Sequence, residues 1–194
     1  MRRACVTLLF ALMMLLRQEV FAQTPAPTID NPRVTVWDVP AGARPVPAGM
    51  DALTVELAPR PGVVAFHPKG SAPATTGQRT VVIAFKDVTV PPLPNDSGYP
   101  VAFPRPRSIT HVDNARVFVS EYTWNPGEPT PVHFHDKDVV VIYLDNGGLR
   151  STTLDGVSVT NEYTLGTLRF NARDRVHSEV LASGRQRAIL VELK

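Results

Sequence analysis

Three histidines in the second half of this 194-residue chain have the types and spacing of a metal site. His133 and His135 stand two apart in Pro131-Val132-His133-Phe134-His135. Residues i and i+2 of a strand share a face, so an extended segment lets both imidazoles reach one ion. His177 follows runs broken by Asn146-Gly147-Gly148 and Asp155-Gly156, which read as hairpin turns, and an antiparallel return across them brings it beside the first pair. Three imidazoles suit a divalent Fe, Mn, Zn, Ni or Cu ion without choosing among them. His67, beside Pro68, and His111, in a proline-rich stretch, lack this spacing and are expected to be exposed loop histidines. Asp136 and Asp138 point away from the pair by alternation and are expected at a solvated strand start, unless a bulge turns Asp138 in. Glu179 shares the face of His177 if that strand continues, as a fourth ligand, a general base or an exposed glutamate. Tyr143 is expected on the face of His133 and His135, lining a cavity or packing.

The elements that must position these groups read as all-β. Val34-Thr35-Val36-Trp37 and Val117-Phe118-Val119 alternate, whereas Val81-Val82-Ile83-Ala84-Phe85 and Ala188-Ile189-Leu190-Val191 are continuous apolar runs that suit buried strands. The 19 prolines leave little room for long helices. Between about Val88 and Val112 the prolines predict a connector or surface loop, since each withholds a ladder donor. A weak repeat brackets it. Asn31-Pro32-Arg33-Val34 matches Asn114-Ala115-Arg116-Val117, and Asp51 to Val55 lies on Asp138 to Ile142. Gly62 to Phe66 lies on Gly166 to Phe170, and Gln78 to Val82 on Gln186 to Leu190. Four matches in one order predict a duplicated unit.

These residues resemble the cupin superfamily, whose motifs read G-x5-H-x-H-x3,4-E-x6-G and G-x5-P-x-G-x2-H-x3-N. Gly127, His133 and His135 match the first, closed by Gly147 or Gly148; Gly166 and His177 match the second. The glutamate position, Val139 or Val140, is apolar, Ala172-Arg173-Asp174 replaces Pro-x-Gly, and Leu181 replaces the last Asn. The first half keeps Gly62-x5-Pro68-x-Gly70, but Pro73 stands at the histidine position, and Val46 or Pro47 and Ala48 or Gly49 stand at the other two. The resemblance implies an antiparallel cupin β-barrel or jelly roll, as a degenerate bicupin or as a single elaborated cupin. It also implies a divalent metal on His133, His135 and His177, serving a dioxygenase, isomerase or lyase on a small polar substrate. The alternatives are a non-catalytic metal- or small-ligand-binding module and, with metal-free histidines, a structural role.

The organisation predicted is a signal peptide over 1–22, a flexible tail over 23–30, a degenerate cupin-like half over 31–87, a connector over 88–113 and a cupin domain over 114–194. Arg2 and Arg3, the apolar run Ala4 to Leu16 and the small residues of Val20-Phe21-Ala22 are the marks of export, so the mature chain is expected to start near Gln23 in the periplasm or outside the cell. The apolar run is short for a membrane span, and no membrane association is expected after cleavage. The only cysteine, Cys5, leaves with this segment, so the remainder has no disulfide and no thiolate ligand. Three basic residues and one acidic residue leave with it, and the formal charge falls from +2 to zero. That balance argues against nucleic acid as a partner and points to a small molecule, leaving a homodimer open.

Overall fold

A computed structural model of the chain describes residues 25–42, 49–71 and 77–194. The signal segment, the cleavage position before Gln23, and Val46, Pro47, Ala48 and Pro73 lie outside the described residues. Among those described there is no helix, and fourteen strands form three antiparallel sheets. β1 (Ile29–Asp30), β2 (Val34–Val39), β3 (Ala52–Glu56), β4 (Val64–His67) and β5 (Thr80–Phe85) make an outer sheet in the order β1-β2-β5-β3-β4. β6 is Ile109–Asp113, β7 Val117–Trp124, β8 His133–His135, β9 Val139–Tyr143 and β10 Gly147–Thr153. β11 is Ser158–Tyr163, β12 Leu168–Asn171, β13 Arg175–Gly184 and β14 Gln186–Leu193. The middle sheet runs β12-β9-β14-β7-β6, and the third, which carries the histidines, runs β11-β10-β13-β8.

The continuous apolar runs are explained by stacking. Val140, Ile142, Ile189 and Val191 face Val34, Leu53, Val55, Val81 and Ile83 of the outer sheet in one core. Their alternate neighbours Val139, Val141, Tyr143, Ala188 and Leu190 face the histidine sheet in a second core with Leu149 and Tyr163. β9 and β14 are therefore buried on both faces, and a strand of this kind loses its polar alternation. Each fully buried aliphatic side chain contributes about 1.5–3 kcal/mol from water exclusion.

The repeat is present down to the register. Asn31 Oδ1 accepts the amides of Arg33 and Val34 at 2.8 and 3.0 Å, and Asn114 Oδ1 accepts those of Arg116 and Val117 at the same two distances. Val34 pairs with Phe85 as Val117 pairs with Leu193, and Ala52 pairs with Ala84 and His67 as Val139 pairs with Glu192 and Asn171. The outer sheet thus reproduces the middle sheet strand for strand. The two also clasp each other reciprocally: Arg33 holds Asp138 at 3.0 Å while Arg116 holds Asp51 at 3.2 Å. What the first half lacks is the β10–β11 hairpin. Residues 57–63 run straight from β3 to β4, and the stretches matching β8 and β13 include residues outside those described.

Two turn expectations resolve differently. Asp155-Gly156 does turn the β10–β11 hairpin. Asn146-Gly147-Gly148 instead carries the chain from the middle sheet to the histidine sheet. Gly147 is needed there because a Cβ would strike the backbone carbonyls of Arg185 and Ser183, whereas one on Gly148 would displace the side chains of Glu162 and Ser183.

Candidate metal centre

β8 is three residues long, and its alternation sends His133 and His135 into the space between the middle and histidine sheets. β13 pairs with it so that His177 lies opposite His133 and Arg175 opposite His135. One ring nitrogen from each of the three histidines falls within 4.8 Å of the others, and all three residues are buried. The ring centroids are 4.9 to 5.0 Å apart.

The hydrogen bonds orient the rings. His133 Nδ1 lies 2.8 Å from the Pro131 carbonyl, which only accepts, so Nδ1 carries the proton and the Nε2 lone pair faces inward. His177 Nδ1 is held by the Ser151 hydroxyl at 3.0 Å. His135 Nε2 and His177 Nε2 face each other at 3.1 Å, and His135 Nδ1 is buried without a partner among the described residues. Burial, reinforced by Arg105, pushes the His133 pKa down to about 4. Burial, then Arg175, pushes His135 down to about 2, and burial also lowers His177. The three imidazoles are neutral at pH 7 and offer lone pairs. This donor set fits a divalent ion: metal–nitrogen bonds of about 2.0–2.1 Å place adjacent ligand nitrogens roughly 3 Å apart, as these two Nε2 atoms are. When bound, such an ion supplies Lewis acidity and leaves positions open for water or a ligand.

Glu179 does lie near the imidazoles, but it stands outside the group of three. Arg105 Nη1 donates to its Oε2 at 2.9 Å, and Arg105 Nη2 donates to His133 Nε2 at 3.3 Å. Burial alone would raise Glu179; Arg105 and the three histidines together outweigh it and bring the pKa down to about 2, which makes the carboxylate a poor proton acceptor. Tyr143 lines the cavity and stacks on Tyr163 with centroids 3.8 Å apart, and burial raises its pKa. Of the two valines at the glutamate position, Val139 faces the cavity and Val140 the outer sheet.

The remaining histidines and the two aspartates are elsewhere, and their settings differ from expectation. His67 is on β4, half-buried, with Nε2 2.9 Å from the Thr54 hydroxyl; His111 is exposed as expected but lies on β6, beside Glu121 at 3.4 Å. Both belong to strands because each lies on the edge of its sheet, where a proline-flanked segment can still pair. Asp136 and Asp138 point away from the imidazoles, yet both are buried, since the outer sheet brings Arg33 to Asp138 and Lys137 turns back to Asp136.

Sequence reasoning missed Arg105 and Arg175. Arg105 comes from the proline-rich connector. There Ala102 N donates to Phe134 O and Phe134 N to Pro100 O, both at 2.8 Å, which ties residues 100–102 alongside β8. The buried Arg105 guanidinium then lies 5.1 to 5.6 Å from the ring centroids of Phe103, Tyr122 and Trp124. Arg175 was signalled by position: it precedes His177 by two residues and so shares its face. Two cavities adjoin the cluster. One of about 20 Å³ touches His135, Tyr143, Asn171, Arg175 and Glu179; the other, about 210 Å³, is an apolar groove at His133 under Pro100, Pro104 and Pro106.

No family model matches the chain. A cupin domain of known structure from Bordetella pertussis Tohama I is 32% identical, covering 47% of this chain and 97% of that one, with a TM-score of 0.41. This chain belongs to the cupin superfamily. A cupin superfamily protein from Desulfitobacterium hafniense DCB-2 is 15% identical, covering 55% of this chain and 98% of that one, with a TM-score of 0.36. A curated relative named beta-alanine degradation protein BauB, from Pseudomonas aeruginosa, is 42% identical over 60 residues, which are 31% of this cupin and 59% of the relative's length. This cupin keeps three inward histidines and places Val139 where the superfamily motif has its glutamate.

Proposed function

We propose that this cupin binds one divalent metal ion per chain through Nε2 of His133, His135 and His177 and acts as a metal-dependent enzyme, of dioxygenase, isomerase or lyase type, on a small polar molecule. The observation that carries the reading is the convergence of three buried, neutral imidazoles, two with their outer nitrogens held by Pro131 O and Ser151 Oγ. In this reading the ion replaces Arg105 Nη2 at His133 Nε2, Arg105 keeps its pair with Glu179, and Tyr143 and Val139 wall the cavity. With no carboxylate in the ligand set, the ion keeps its full double charge, which favours acidifying bound water or holding an anionic chelator. The apolar groove at His133 has the size of a small ligand's body.

The test is metal analysis of purified protein. Each of His133→Ala, His135→Ala and His177→Ala is expected to cut metal content sharply, while His67→Ala and His111→Ala leave it unchanged. Unaltered stoichiometry in His133→Ala removes the proposal, and loss in His67→Ala points to another site. The same reading has the chain exported, and N-terminal sequencing from the exported fraction is expected to begin at Gln23; an intact Met1 in the cytoplasmic fraction contradicts it.

A further inference from the structure

The cavity beside the imidazoles is short of negative charge. Its lining holds two guanidiniums, Arg105 and Arg175, and one carboxylate, Glu179. Arg105 is committed to Glu179 at 2.9 Å. Arg169, nearby, spends its Nη1 on the Tyr163 hydroxyl and adds further positive potential at Arg175. Asp136 and Asp138 are turned away and paired with Lys137 and Arg33. Arg175 donates Nε to the Ala172 carbonyl at 2.8 Å, and among the described residues no carboxylate lies within 4.0 Å of its guanidinium. One uncompensated positive charge therefore remains in a partly desolvated cavity, and a divalent ion on neutral imidazoles raises the excess to three. A half-buried guanidinium without a carboxylate partner is a ready acceptor of an anion, since pairing offsets the cost of its partial desolvation.

We infer that Arg175 anchors an anionic ligand, a small organic carboxylate whose oxygens accept from the free edge of the guanidinium beside the three histidines. The planar fork of an arginine matches the two oxygens of a carboxylate, and charge-assisted pairs of this kind are roughly twice as strong as neutral hydrogen bonds. The cavity is small, about 20 Å³, and a planar carboxylate is the smaller of the two anions that a guanidinium fork commonly pairs with. Asn171, on the same wall, offers a further polar contact. The inference deepens the metal reading by naming the substrate class, and the Arg175 subsite itself exists with or without the ion.

Calorimetric titration of glycolate tests it, using the chain stripped with chelator and, separately, loaded with zinc. Glycolamide serves as the uncharged isostere and inorganic phosphate as the competing anion. Saturable glycolate binding is expected in both forms, tighter with zinc. Arg175→Gln is expected to weaken it at least tenfold in both forms, and Arg175→Lys by less. On the unaltered chain glycolamide is expected to bind at least tenfold more weakly than glycolate, which tests charge recognition without any variant. Equal binding of glycolamide, tighter binding of phosphate, an unchanged affinity in Arg175→Gln, or no glycolate binding in either form overturns the inference. If zinc fails to bind while Arg175-dependent glycolate binding persists, the subsite stands and the metal reading falls.

Discussion

Acidification of the metal-stripped protein isolates what it costs to bury three imidazoles. An imidazole depressed by burial stays neutral in the folded chain while the unfolded chain takes up a proton near pH 6.5. Stability is therefore fully present above pH 6.5 and is lost as the pH falls from there toward the folded values, about 4 for His133 and about 2 for His135. At pH 5 the unfolded chain has gained about 1.5 pH units of proton binding at each site, worth about 2 kcal/mol, and the folded chain almost none. The two residues together remove about 4 kcal/mol between pH 7 and pH 5, and His177, shifted the same way, adds to this. Glu192, raised by burial, works in the opposite direction, so the comparison must be made between chains that both contain it. Urea denaturation at pH 7, 6 and 5, followed by the fluorescence of the two tryptophans, Trp37 and the buried Trp124, is the assay. The unaltered chain is expected to lose about 4 kcal/mol more over this range than His133→Gln/His135→Gln does. Parallel pH profiles for the two chains would refute the assignment of buried neutral imidazoles.

Two other substitutions probe the clasp and the cavity wall. Arg33→Ala takes the guanidinium from Asp138 in a pair whose side chains are 9% and 12% exposed, leaving Asp138 the Arg173 amide, and is expected to cost about 3–5 kcal/mol in urea denaturation; a loss under about 1 kcal/mol, the range of an exposed pair, refutes burial as the cause. Val139→Glu places a carboxylate in the cavity that His135 lines, so the stripped chain is expected to be several kcal/mol less stable, yet chelator competition is expected to show metal bound at least tenfold more tightly, and an unchanged affinity contradicts the placement of Val139.

The histidine cluster was legible because a period of two places His133 and His135 together whatever the rest of the chain does. The repeat was legible because its turns are built by Asn31 and Asn114 in the same way. The glutamate position was ambiguous by one residue, and in a strand buried on both faces no polar alternation exists to choose between Val139 and Val140. Arg105 was hidden by the prolines around it. A proline-rich segment lacks donors for a full ladder, but pairing with β8 asks only for the Pro100 carbonyl and the Ala102 amide. The burial of Asp138 was hidden for another reason: alternation gives the direction of a side chain and says nothing of what a distant sheet brings to meet it.

The reciprocal clasp between the outer and middle sheets bears on the site itself. Gly62, at a φ of +102°, lets Leu144 and Arg187 approach, and its counterpart Gly166, at +85°, does the same for Leu57 and Arg79. The middle sheet is therefore pinned from behind, and Val139, Val141 and Tyr143 present a wall held between two cores. The ligands stand on the opposite sheet, where β8 pairs with β13 on one side and with residues 100–102 on the other. Ligand placement within about half an ångström needs support of this kind on both edges. The segment that steadies His133 and His135 also delivers Arg105 to Glu179, so ligand geometry and cavity charge are set by a single stretch of chain. The first half thus acts on the site mechanically, as backing for the wall, and the connector acts on it chemically.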